Sequence, residues 1–171
     1  SPRLRLEESH RGALVLSDNA GNGKTTLMRR LMADFREEQP QVKIAYLDHP
    51  AMAPNDLMAT IARALGASPG KDIAQSLDHV RQTLKQERQE EQQQAVVIID
   101  EGQMIADNPD CLEVLRSLIN LWDDDGFLLT TILSGQKALG EALKKRPEFW
   151  QRLPVRFFLR DLSLDECRQM I

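Results

Sequence analysis

The chain has 171 residues, a net charge of −4, 42% hydrophobic residues and only 5% aromatic ones. That length suits a single domain with a substantial core, and that charge gives no global basic footprint for nucleic acid. No apolar stretch nears the ~20 residues of a membrane span, and no signal peptide is visible.

The apolar run Ala13–Leu16 predicts a first strand, which opens into AGNGKTT (Ala20–Thr26). A Gly-rich loop between strand and helix can aim backbone N–H groups at phosphate oxygens. Asn19, Ala20, Gly21, Asn22, Gly23, Lys24, Thr25 and Thr26 form the candidate cradle. Lys24 is placed to reach the β- and γ-phosphates of a nucleotide, and the Thr25 hydroxyl to ligate Mg²⁺. Asp18 stands where the full phosphate-loop pattern has glycine, and its carboxylate near a triphosphate is repulsive unless it points away.

Leu27, Met28, Leu31, Met32 and Phe35 recur at helical spacing until Pro40. Val42–Leu47 predicts a buried strand. Leu57, Met58, Ile61 and Leu65 mark a helix ended by Gly66, and Ile73, Leu77, Val80 and Leu84 mark another. The latter runs into the polar segment Lys85–Gln94, read as a solvated helix end. Ala95–Ile99 is the next strand, ending in Asp100 and Glu101. Asp100 suits the magnesium shell and Glu101 a general base for water.

Leu112, Leu115, Leu118, Ile119 and Trp122 give a helix with one apolar stripe, and DDDG (Asp123–Gly126) a turn into the strand Phe127–Leu133. At the end of that strand, Gln136, and after it Ser134, are candidates to sense the γ-phosphate or the attacking water, although Ser134 also suits a helix cap. A short helix spans Leu139–Lys145, and Val155–Leu159 is a last strand. Arg152, just before it, is a candidate to stabilise transition-state charge in a neighbouring subunit's site. Strands alternating with helices in this way predict an α/β fold, a parallel sheet with helices on both faces.

LSDNAGNGKTTL, AVVIIDEGQ, ILSGQKAL and RPEFWQRLPVRFFLRDLSLDE together resemble the AAA+ ATPase domain of general secretion pathway protein A, the ExeA type, over nearly the whole chain. The related MuB and TniB transposition ATPases share much of this pattern. The resemblance implies a P-loop core with strand order 5-1-4-3-2, Gln136 at the sensor position and Arg152 as an arginine finger. It also implies ATP and Mg²⁺ as ligands and self-association into a ring or filament. That family usually has alanine where Gly102 stands and glycine where Asp18 stands.

The expected organisation is a nucleotide-binding core over residues 1–162. SLDE (Ser163–Glu166), a capping box, opens a helical lid at 163–171 whose remainder is absent, as in an excised domain. Cys111 and Cys167, without metal-ligand spacing, fit a cytoplasmic location, including the cytoplasmic part of a membrane-anchored protein. The leading expectation is an ATPase that remodels a protein partner. Its alternatives are an ATP-dependent DNA-binding adaptor for a transposase, using a basic patch of Lys144, Lys145, Arg146, Arg156 and Arg160, and a nucleotide-gated scaffold with little turnover.

Overall fold

Period-2 and period-3.6 apolar patterns become strands and helices in a computed structural model that describes residues 12–18 and 23–160. The expectations on Asn19, Ala20, Gly21 and Asn22, the boundary at 162 and the lid from Ser163 lie outside the described residues. Strands β1 (Gly12–Ser17), β2 (Val42–Leu47) and β3 (Gln94–Ile99) come first in the chain. A two-strand ribbon follows, β4 (Trp122–Asp123) with β5 (Gly126–Phe127), and then β6 (Leu129–Gln136) and β7 (Val155–Leu159). The five longer strands form one parallel sheet ordered β2-β3-β6-β1-β7. Counted within that sheet alone, this is the order 5-1-4-3-2.

The helices are α1 (Lys24–Glu38), α2 (Pro54–Ala64), α3 (Ile73–Glu91), α4 (Pro109–Ile119), α5 (Lys137–Lys144) and α6 (Pro147–Gln151). Strand interiors are apolar on consecutive residues because both faces of the sheet are covered. Ala13, Val15, Val96, Ile98 and Ile132 pack with Met28, Met32 and Phe35 of α1. The alternate residues Leu14, Val97, Ile99 and Leu133 pack with Leu57 and Ile61 of α2, Leu84 of α3, Leu115 of α4 and Leu139 of α5. Helix starts are chemically marked. Asp72 accepts from the Gln75 N–H at 2.8 Å, and Asn108 from the Asp110 and Cys111 N–H groups at 3.1 Å, with Pro109 at the first helical position.

Two expectations are corrected. Trp122 continues the spacing of the α4 stripe, yet α4 ends at Ile119 and Trp122 is 62% exposed on the ribbon. The DDDG turn pulls it out: the Asp125 N–H donates to Asp123 Oδ1 at 2.8 Å, and Arg88 grips both Asp123, at 3.0 Å, and the Phe127 carbonyl. The strand expected from Phe127 therefore starts at Leu129, and it continues through Ser134, Gly135 and Gln136. The polar end of α3 is solvated on most residues. It also holds the fold at two points, through Arg88 and through Glu87, which pairs with Lys43 at 2.5 Å.

Candidate functional site

Parallel strands deliver all their C-terminal ends to one edge, and the crevices there are where ligands bind in such sheets. Ser17 ends β1 at this edge, and α1 begins at Lys24. The residue at the helix start, Gly23, has φ 81, a left-handed conformation that L side chains avoid, which is the physical reason for glycine at this point of the loop. No acidic residue occupies the first turn of α1, so its N–H groups and the positive end of its dipole are left for an anion. Lys24 is 3% exposed, donates to Ser17 Oγ at 2.7 Å, and takes part in none of the salt bridges among the described residues. A desolvated ammonium opposite a hydroxyl is poorly compensated and favours an incoming anion. Asp18 is exposed, and among the described non-glycine residues only Gln92 and Glu101 have positive φ, so the backbone at 18 does not need glycine's freedom.

The acidic strand comes in from β3. Asp100 is 1% exposed. Its Oδ2 accepts from Thr25 Oγ1 and from the Tyr46 hydroxyl, each at 3.2 Å, and its Oδ1 from the Glu101 N–H at 2.9 Å. The carboxylate thus ties the start of α1 to β2 and β3. Tyr46 carried no expectation from the sequence, although period-2 alternation sets it on the α1 face of β2 with Val42 and Ile44.

Burial first, then the charge of Asp100, their hydrogen bond and the charge of Asp48, push the Tyr46 hydroxyl up to about 12, against a smaller opposing pull from Arg29. Tyr46 is the chain's single tyrosine, so tyrosinate absorbance reports it alone. A midpoint near 12 is expected in the folded protein, against about 10 in denaturant. Because the folded value is the higher, the stability linked to keeping Tyr46 protonated is fully present below about pH 10 and is lost as pH rises toward 12. A folded midpoint near 10 would contradict the partial burial of Tyr46 against Asp100.

Glu101 has φ 53, a strained backbone for a residue with a side chain, of order 1–3 kcal/mol. Its carboxylate accepts from Gln103 Nε2, and Gln103 Oε1 accepts from the Gln136 N–H at 3.1 Å. Gln136 pairs in register with Ser17, which sets it beside the Lys24 pocket, and it occupies the residue before α5 without a side-chain capping bond. Ser134 does not cap α5. It is fully buried, one position beyond the Ile99–Leu133 pair and so next to Asp100, with no hydrogen-bond partner for its Oγ among the described residues. An orphaned buried hydroxyl beside Asp100 fits a site made to receive another polar group. Among the described residues no three His, Cys, Asp or Glu side chains cluster to hold a metal alone. Magnesium at Thr25 and Asp100 would depend on phosphate oxygens and water, its usual habit.

Lys24, Thr25, Asp100, Glu101 and Gln136 therefore converge, and Arg152 does not. Arg152 ends α6, and its carbonyl lies against Gly12, at the start of β1. Six residues of strand, roughly 20 Å, separate it from Ser17. Phe149, fully buried, anchors α6, and the Arg152 N–H donates to the Phe149 carbonyl at 3.0 Å. Beside it the Trp150 ring carries Arg156 at 4.0 Å and Lys144 at 5.6 Å from its centroid.

A family model described as an AAA domain matches residues 6–143. General secretion pathway protein A of Aeromonas hydrophila is 32% identical over 160 residues, 89% of this chain but 27% of its own length. The chain thus spans about a quarter of that relative. Among solved structures, the Aeropyrum pernix ORC1 protein in complex with DNA superposes with a TM-score of 0.70 at 20% identity, covering 92% of this chain and 41% of that one. The ORC2 protein of the same organism, in ADPNP-ADP complexes, gives 0.67 at 21%, covering 93% and 44%. At such identities these structures speak for a shared fold.

Proposed function

The chain belongs to the AAA domain family, and from that premise we propose that it binds ATP with Mg²⁺ and hydrolyses it within a self-associating assembly that acts on a protein partner. The observation that carries this reading is the buried Lys24, without a carboxylate partner among the described residues, beside the Thr25–Asp100 bond, two groups 75 residues apart joined at the start of one helix. Lys24 and the first turn of α1 would take the phosphates. Thr25 and Asp100 would hold Mg²⁺, which neutralises phosphate charge. Glu101 would accept a proton from water, and Gln136 or Ser134 would contact the phosphate end.

Arg152 sits at the opposite sheet edge, so any part it plays falls on a neighbour's site. Turnover per subunit should therefore rise with protein concentration and fall roughly 10³-fold in Arg152→Ala, the lower end of the range for such arginines. Mixing Arg152→Ala with Lys24→Ala should restore part of the lost turnover, because one kind of interface then has both an intact site and an intact arginine. Turnover independent of concentration, with no recovery on mixing, would remove the assembly reading.

The similarity to General secretion pathway protein A favours a secretion-related partner. One observation favours a DNA-binding adaptor instead: cations gathered around Trp150, namely Lys144 and Arg156 on the ring, with Lys145, Arg146 and Arg160 near them in sequence. A duplex-DNA gel shift with ATP that weakens steeply between low and moderate salt would support the adaptor. Its absence at low salt would leave the protein-partner reading.

A further inference from the structure

Alternate residues of a strand share a face, and that period brings a phenol to Asp100. Val42, Ile44 and Tyr46 of β2 lie on the α1 face with Val96 and Ile98 of β3. Tyr46 pairs in register with Ile98, so Asp100 stands two residues further along, a step of roughly 7 Å. A short hydroxyl side chain at 46 would end below Asp100. The phenol spans the step, and its hydroxyl donates to Asp100 Oδ2 at 3.2 Å.

Both oxygens of the carboxylate are held, and from different elements. Oδ1 accepts from the Glu101 N–H at 2.9 Å, and Oδ2 accepts from Tyr46 and from Thr25 Oγ1, each at 3.2 Å. The last torsion of an aspartate is soft and roughly two-fold, so one anchored oxygen does not fix its plane. The backbone N–H and the phenol together do. The Thr25 hydroxyl has one proton, which goes to Asp100, and its two lone pairs stay open to a cation. The plane of Asp100 therefore sets where those lone pairs point.

We propose that Tyr46 is a positioning residue that acts through Asp100. Its hydroxyl locks the carboxylate, and with it the Thr25 hydroxyl, in the orientation that takes Mg²⁺ beside the phosphates. The role rests on the reading of Thr25 and Asp100 as the Mg²⁺ side of an ATP site. Partners one bond removed from a metal are worth about 10–100-fold in its affinity.

Titration of the same chain with a non-hydrolysable ATP analogue, in Mg²⁺ and in EDTA, tests this without turnover. The ratio of the two Kd values measures how far the cation tightens nucleotide binding. Tyr46→Phe removes the hydroxyl and keeps the ring in its packing. Its ratio should fall about tenfold or more, with Kd in EDTA changed less than about twofold. A bond that only ties β2 to β3 would lower the melting temperature and move both Kd values together or not at all, and that result overturns the role. Asp100→Asn, measured alongside, separates the two failures. If it collapses the ratio while Tyr46→Phe keeps it, the positioning role alone falls. If it keeps the ratio as well, or the wild type shows no effect of Mg²⁺, the cation reading at Asp100 falls too.

Discussion

Lys24→Ala should lose ATP binding by a factor of roughly 30 to several thousand, with the fold intact. That range follows from truncating one partner of a desolvated, hydrogen-bonded charge pair, worth about 2–5 kcal/mol. Lys24 is 3% exposed, and among the described residues its ammonium pairs with no carboxylate, so an arriving phosphate supplies its compensating charge. Removing a buried, poorly compensated cation does not cost what breaking a buried ion pair costs, so the unliganded variant should melt at or above the wild-type temperature. Ser17 Oγ loses one neighbour in exchange. Calorimetric titration with ATP and Mg²⁺, next to a thermal melt without nucleotide, reads both quantities. Binding within threefold of the wild type would show that the phosphates do not sit at Lys24.

Much of this site was legible in the sequence, for reasons that also mark where reading stopped. Val42–Leu47 and Val155–Leu159 match β2 and β7 residue for residue because short apolar runs between helices leave few alternatives. Thr25 and Asp100 were readable because each carries a local pattern, and the structure joins them at 3.2 Å. Tyr46 carries no such pattern, and Gln103 stands in AVVIIDEGQ without a role read from it. Their parts rest on contacts across 54 and 33 residues, and only the register of β2 against β3, or the close approach of Gly135 to Gln103, reveals them. Five-residue α6 is too short to show a helical period, so its buried anchor Phe149 and the placement of Arg152 at the far edge had no signal. Trp122 misled because helical spacing persists in the letters after the turn chemistry of DDDG has ended the helix.

Glu101→Gln should keep ATP binding within a few-fold of the wild type while cutting hydrolysis by about 10²-fold or more, the range for losing a general base. The substitution is close to isosteric and leaves the backbone at φ 53 as strained as before, so a change in turnover is not a change in fold. Lys24 bonds Ser17, Thr25 bonds Asp100 and the Glu101 side chain bonds Gln103, so the substitution leaves the contacts of the binding groups untouched. An amide at 101 can still meet the Gln103 amide, donor to acceptor, but it cannot take a proton from water. Phosphate release measured beside nucleotide affinity therefore separates two readings of the domain. Retained binding with lost turnover identifies a hydrolase whose base is Glu101. Equal turnover in the two proteins would mean that Asp100 and the strained residue after it only gate nucleotide, and the domain would then act by binding ATP rather than by consuming it.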